Sequence, residues 1–298
     1  MPQYLFPLMA TLIWSANTVV SKMAAGTIEP SEINFYRWLL AALLLTPLAL
    51  RPLLANWRAV RPHLGKIVVL GLTGMVVYQG LAYYAAYLTT ATHMGIILSL
   101  APVLAITLAV PMLGQKLATG AVAGSLLSIL GVLVVVSSGH LETLLATGIN
   151  AGDGLMLAAI FAYTLYAVLL KKWRMPGIPP LQLLYLQVLV AVIALFPIYA
   201  FSPKTGLTLT NVPLVLFAGI LASLVAPLFW MAAIKHIGPS RASMFFNLVP
   251  LFTALIAAGI LGEQLALYHL VGGVLTIAGV LLAEWWKAPA RQAVLTGS

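Results

Sequence analysis

The side chains in this chain that could do chemistry are few, and most of them are uncharged. Trp14 and Asn17 stand three residues apart inside one long apolar stretch, Tyr78 and Gln79 inside another, and Ser99, Tyr163, Tyr166, Ser223 and Asn247 inside further ones. A mixture of rings and amides suits binding more than bond-making. Rings accept an apolar side chain, or an ammonium through cation-π contact, while amides hydrogen-bond either end of a zwitterion. Any one Tyr or Trp is explained as well by packing or by anchoring at a membrane surface, so only convergence on a shared space would make these residues a site. Tyr83, Tyr84, Tyr87, Trp285 and Trp286 lie near the ends of apolar stretches and read as interfacial anchors.

Charged groups are rarer and more diagnostic. Arg37 is the only basic residue well inside an apolar stretch. An intramembrane charge normally pairs or lines a wet cavity, and the competing reading has Arg37 snorkel to the surface beside Glu32 or Glu29. Lys22 and His93 are further candidates for a charge role, His93 because imidazole titrates near neutrality. No acid falls at mid-span, so a carboxylate proton relay has no candidate. Pro102 and Pro250 lack an N–H, which leaves the carbonyls of Leu98 and Phe246 without their usual helical partners, and the pair reads as a symmetric hinge or gate. Enzyme chemistry finds no support. There is no His-Glu-x-x-His pattern, no thiol, no carboxylate pair on one helix face and no glycine-rich phosphate loop. His63, His93, His140, His236 and His269 all fall in loops or near span ends, so a membrane-buried serine would have no buried base. Neither a metal nor a cofactor is expected.

The elements that must position these residues follow from composition. Of 298 residues, 62% are hydrophobic and 7% charged, with a mean hydropathy of +1.06; soluble domains carry about 25% charge. Breaks at Pro, Gly and charge clusters leave ten stretches near the roughly 20 residues that a spanning helix needs. They are 4–25, 32–50, 64–86, 90–113 and 119–138, then 152–171, 180–201, 212–234, 240–262 and 267–286. None shows the period-two alternation of a β-barrel, so the fold class is an all-α membrane protein of ten transmembrane helices. With the N-terminus placed in the cytoplasm, twelve Lys and Arg fall on the inner side and only Lys22 and Lys204 on the outer, so both termini are expected to be cytoplasmic. The net charge of +9 is then topological, since no basic stripe or aromatic platform for nucleic acid accompanies it. The first stretch has no basic residues before it and reads as a retained helix, not a cleaved signal.

The second half repeats the first at a displacement of 148 positions. Leu100 falls on Leu248, Pro102 on Pro250, Leu113-Gly114 on Leu261-Gly262, Leu117-Ala118 on Leu265-Ala266, Gly124 on Gly272, and Gly131-Val132-Leu133 on Gly279-Val280-Leu281. Five spans per copy is an odd number, which turns the second copy upside down in the membrane. Residues 1–147 and 148–298 are therefore read as two inverted five-helix repeats, the pattern of a secondary transporter that exposes one midplane site to either side.

Several of these residues resemble a known family. Trp14-Ser15-Ala16-Asn17 followed by Lys22, the run Ala85 to Leu117 with its Leu100-Ala101-Pro102 interruption, and the counterparts Tyr163 with Lys171 and Ala233 to Leu265 are similar to the drug/metabolite transporter (DMT) superfamily, EamA-type branch. Within it the chain resembles the YddG-like amino-acid exporters. That resemblance implies a bacterial inner-membrane protein exporting amino acids, aromatic ones among them, or similar small metabolites, through a cavity between the repeats. Trp14, Asn17, Tyr78, Gln79, Ser99, Tyr163, Tyr166 and Asn247 are the expected substrate-binding residues, in a monomer or weak dimer. A drug or nucleotide-sugar carrier of the same fold, or a channel, is the alternative.

Overall fold

The computed structural model describes residues 2–24, 26–89, 94, 97–115, 118–137, 139–140, 150–262 and 265–286. Among them stand ten helices: α1 (Leu5–Ala24), α2 (Pro30–Ala55), α3, α4 (Ala101–Leu113), α5 (Thr119–Val136), α6 (Ala151–Lys172), α7 (Pro180–Phe201), α8, α9 and α10 (Leu267–Trp285). Three of these run in pieces. Helix α3 joins Leu64–Gly71, Leu72–Val77 and Tyr78–Leu88, α8 joins Val212–Phe217, Ala218–Val225 and Ala226–Ile237, and α9 joins Pro239–Met244, Phe245–Leu248 and Val249–Leu261. Seven are long and apolar enough to cross a membrane, while the described parts of α1, α4 and α10 are shorter apolar helices.

The local sequence accounts for the ends. Proline opens α2 and α7, where its missing N–H costs nothing. Asn150 caps α6, its side chain accepting from the Asp153 N–H while the Asp153 carboxylate accepts from the Asn150 N–H. Gly114 and Gly262 close α4 and α9 in the left-handed conformation, at φ 64° and 70°. Helix α2 runs past the expected end at 50, through Pro47 and Pro52, until Asn56 N–H closes it onto the carbonyls of Pro52 and Leu53.

Helices pack across the repeats more than within them. Helix α1 lies against α8 and α9, and α6 correspondingly against α3 and α4; α2 meets α8 as α7 meets α3; α2 pairs with α7, and α5 with α10. Exchanging each helix with the one five places on reproduces this set. At one end of the bundle Arg241 donates to Tyr4, Asn56 to Gln182 and Ser240 to Gln115. At the other, Asn211 donates to Thr27 O, and Thr89 donates to Asp153 at the start of α6. Since α1 starts at the first end and α6 at the second, the two five-helix halves are inverted.

Outward faces are apolar. On α7, Leu184 and Gln187 are fully buried while Ile193 is 72% exposed, the inverse of a soluble surface and the expected face toward lipid.

Two features of the core were not visible as elements in the sequence. The segments Leu72–Val77 of α3 and Ala218–Val225 of α8 are π-helical, and the 148-residue shift carries 72–77 onto 220–225. Glycine seats both: a Cβ on Gly71 would meet Val190 Cβ of α7 at 2.8 Å, and one on Gly219 would meet Leu40 Cδ2 of α2 at 2.7 Å. Helices α5 and α10 meet backbone to backbone, with Gly124 against Gly279 and Gly131 against Gly272.

Candidate functional site

Where α1, α3, α6, α8 and α9 meet, six rings gather. Tyr163 of α6 is the hub, its centroid 4.7 Å from Tyr78, 5.4 Å from Phe246, 5.5 Å from Tyr166, 6.0 Å from Trp230 and 6.1 Å from Trp14. Trp14 stacks on Phe246 at 5.6 Å with planes 2° apart, and Trp230 lies 4.7 Å from Phe246 and 5.4 Å from Trp14. Tyr163, Tyr166, Trp230 and Phe246 are buried; Trp14 and Tyr78 are half-buried. Such offset and edge-on pairs are each worth about 0.5–1.5 kcal/mol beyond burial. These pairs stabilise the cluster, and aromatic faces as a class accept apolar or cationic groups.

A polar layer borders the rings. Arg37 is 2% exposed; its Nε donates to Ser223 Oγ of α8 at 2.6 Å and one terminal nitrogen donates to Gln79 Oε1 of α3 at 3.5 Å. Its guanidinium also sits 5.4 Å from the Trp38 ring. The snorkelling reading is thereby replaced: Arg37 points inward and bridges three helices. The layer is tied to the rings twice, because Trp14 Nε1 donates to the carbonyl of Ala222, next to Ser223, and because Tyr78 adjoins Gln79. Glu32, fully buried nearer the helix end, accepts from the N–H groups of Thr205 and Gly206.

Of the residues singled out in the sequence, Trp14, Tyr78, Tyr163 and Tyr166 come together, and Gln79 joins them through Arg37. Asn17 lies one turn from Trp14, its Oδ1 buried without a hydrogen-bond partner. Asn247 goes elsewhere: its Nδ2 donates to Ser128 Oγ of α5 at 2.9 Å, beside the seam with α10, and its neighbour Phe246 occupies the ring cluster. Ser99 is buried at the break before α4. Lys22 lies in the last turns of α1, and its side chain, like all of His93, is outside the described residues.

Pro102 and Pro250 fall at the second position of freshly started helices, Ala101–Leu113 and Val249–Leu261. The first four N–H groups of a helix have no intrahelical partner, so neither proline removes a bond there. The carbonyl of Phe246 is not orphaned either, since Val249 N–H bonds it across a 3-10 turn. For Phe246 the expectation of an unpaired carbonyl is corrected to a helix restart, which at 245–248 turns its ring inward.

The sequence reading missed Trp230 and Phe246 as members of the site. Trp230 is the larger omission: it is 1% exposed with Nε1 lacking a partner. Two clefts lie on the outside of the bundle. One of about 590 Å³ between α9 and α10 is lined by residues such as Leu251, Leu255 and Leu270, and one of about 210 Å³ lies beside α2 and α8. Neither contains a ring of the cluster.

The EamA-like transporter family pattern matches residues 1–137 and again residues 150–285. The chain belongs to the EamA-like transporter family. It is similar to the "Uncharacterized transporter YyaM" of Bacillus subtilis, 28% identical over 286 residues that cover 94% of this chain and 93% of that one. It is also similar to the "Probable terminal-alkyne amino-acid exporter" of Streptantibioticus cattleyicolor, 27% identical over 219 residues that cover 72% of this chain and 71% of that one. A crystal structure of a protein 17% identical to it has a TM-score of 0.77 over 95% of this chain and 96% of the other, a likeness of fold alone. An EamA-like transporter is an integral membrane protein, which accounts for the apolar outward faces.

Proposed function

We propose that this EamA-like transporter exports amino acids, aromatic ones among them, or similar small metabolites, by alternating access at the ring cluster. One observation carries the reading: the cluster takes Trp14 and Tyr78 from the first half and Tyr163, Tyr166, Trp230 and Phe246 from the second. A rocking motion of one half against the other therefore opens and rebuilds this one place, which is what a midplane site requires. The similarity to an exporter of an amino acid supports the substrate class. We place the boundary of the halves at 147/148 and the protein in a bacterial inner membrane, both termini cytoplasmic, and read Pro102 and Pro250 as marking the gating segments.

The test is efflux from proteoliposomes loaded with labelled phenylalanine. Saturable efflux that accelerates with phenylalanine on the far side, and that drops at least ten-fold in Trp230→Ala and Phe246→Ala, supports the carrier. Flux that never saturates would make the protein a channel, and transport of a nucleotide sugar or drug with no amino acid carried would replace the substrate class.

A further inference from the structure

An aromatic cluster by itself welcomes cations, because ring faces attract an ammonium. The residues beside this one change that preference. Arg37 is seven residues from the Pro30 start of α2, and Asn17 is seven residues from the Ala24 end of α1. At about 1.5 Å per residue both backbone positions therefore lie roughly 10 Å along their helices from those two ends, which are adjacent in the chain. On α1, Trp14 lies one further turn in. Arg37 thus stands over the ring cluster, held there by Ser223 and Gln79, and the Asn17 Oδ1 at its level is a buried acceptor with no donor. Within the rings, Trp230 Nε1 is a buried donor with no acceptor. A buried group left in this condition calls for a partner, and a bound ligand is one that can supply it.

We propose that Arg37 and Asn17 form a head-group subsite, Arg37 for a carboxylate and Asn17 Oδ1 for an ammonium, and that this subsite, not the ring cluster, sets the charge of what is carried. The assignment rests on the reading of the ring cluster as the transport site. A guanidinium suits a carboxylate through its forked donors. Its charge also acts at range: at about 8 Å and an effective dielectric near 20, it favours an anionic group and disfavours a cationic one by about 30-fold each. The site therefore accepts zwitterions and acids with an apolar or aromatic tail and rejects the corresponding amines.

Three probes that share one tail test this on the purified full-length protein: L-phenylalanine, 3-phenylpropionate and phenethylamine, with binding measured by calorimetry. Phenylalanine and 3-phenylpropionate are expected to bind at least ten-fold more tightly than phenethylamine. Arg37→Gln should erase that preference and Arg37→Lys keep part of it, while Asn17→Ala should bring phenylalanine down to the level of 3-phenylpropionate or below it. If phenethylamine binds the unaltered protein as tightly as 3-phenylpropionate while phenylalanine is still transported, Arg37 only holds helices together; the subsite is overturned and the transport reading stands. That ranking needs no variant, so poor folding of Arg37→Gln does not shield the proposal. If none of the three binds, the subsite and the substrate class fall together.

Discussion

Substituting Ala at Gly131 tests the seam on which the two halves are joined. A methyl group there would sit 2.4 Å from Thr276 Oγ1 and 2.5 Å from both Gly272 O and Thr276 N of α10. The hydroxyl cannot simply swing aside without giving up its 2.8 Å bond to Gly272 O, and the other two atoms are backbone. Relief to ordinary contact requires α10 to move off by about 1 Å along a stretch where Gly124 and Gly279 are equally close. Overpacking of this kind costs about 1–3 kcal/mol, against a gain of about 1 kcal/mol for replacing Gly by Ala in a helix. The net loss expected for Gly131→Ala is about 0–2 kcal/mol. Gly259 on α9 is the control, since no heavy atom lies within 4 Å of its added methyl and only the gain applies. Unfolding of the two purified variants in mixed micelles, followed by tryptophan fluorescence, should separate them by about 1–3 kcal/mol, with Gly131→Ala the less stable. Equal stability of Gly131→Ala and Gly259→Ala would refute the backbone-to-backbone contact of α5 and α10.

Three further outcomes are expected. Pro250→Ala lets 245–248 relax towards α-helix and draws Phe246 off its stack with Trp14 (5.6 Å), so phenylalanine affinity should fall about three- to ten-fold, the worth of one ring pair. Pro102→Ala, with no ring at the matching position, should leave affinity near the parent value, and equal losses in the two variants would show that the restart at 249 does not place the ring. Gly74→Ala puts a methyl 2.7 Å from Tyr166 Cδ2, and because Tyr166 packs on Tyr163 it should weaken binding about ten-fold; unchanged affinity in a calorimetric titration would remove Tyr166 from the site. Single cysteines at exposed Arg58 and Lys204 should react with an impermeant maleimide from opposite faces of the membrane, position 204 in intact cells and position 58 only after permeabilisation; the reverse pattern would invert the proposed orientation.

What was legible in the sequence is what periodicity and symmetry write directly. The glycines that aligned under the 148-residue shift, Gly124 with Gly272 and Gly131 with Gly279, turn out to face one another in crossed pairs across α5 and α10. Their matching was a contact as well as an ancestry. Arg37 was legible only in part: the sequence marked it as an intramembrane charge in need of a partner, but left an inward position and snorkelling to the surface both open. The π segments were not legible. Leu72–Val77 and Ala218–Val225 are as apolar as any regular helix, and a change from i→i+4 to i→i+5 bonding leaves no mark on hydropathy. Trp230 and Phe246 were passed over because an apolar ring in an apolar span has the same signature whether it faces lipid, core or ligand.

The scaffold obeys the repeat, but the candidate site does not. Under the same shift Trp14 corresponds to Ala162, Tyr163 to Ser15, Arg37 to Tyr185, Trp230 to Ala82 and Phe246 to Leu98. The paired π segments, the paired helix restarts and the glycine seam are all near-duplicates, as the proposed exchange between two backbone conformations requires. The chemistry, in contrast, occurs once among the described residues: one cationic side chain, one stacked pair of Trp14 and Phe246, one hub at Tyr163. A duplicated site would hold two half-strength pockets that trade places as the halves rock. Under the proposed alternating access, a single asymmetric set of side chains on a symmetric frame keeps the same groups around the ligand while access changes from one face to the other, so substrate selectivity measured from either side of the membrane should be the same.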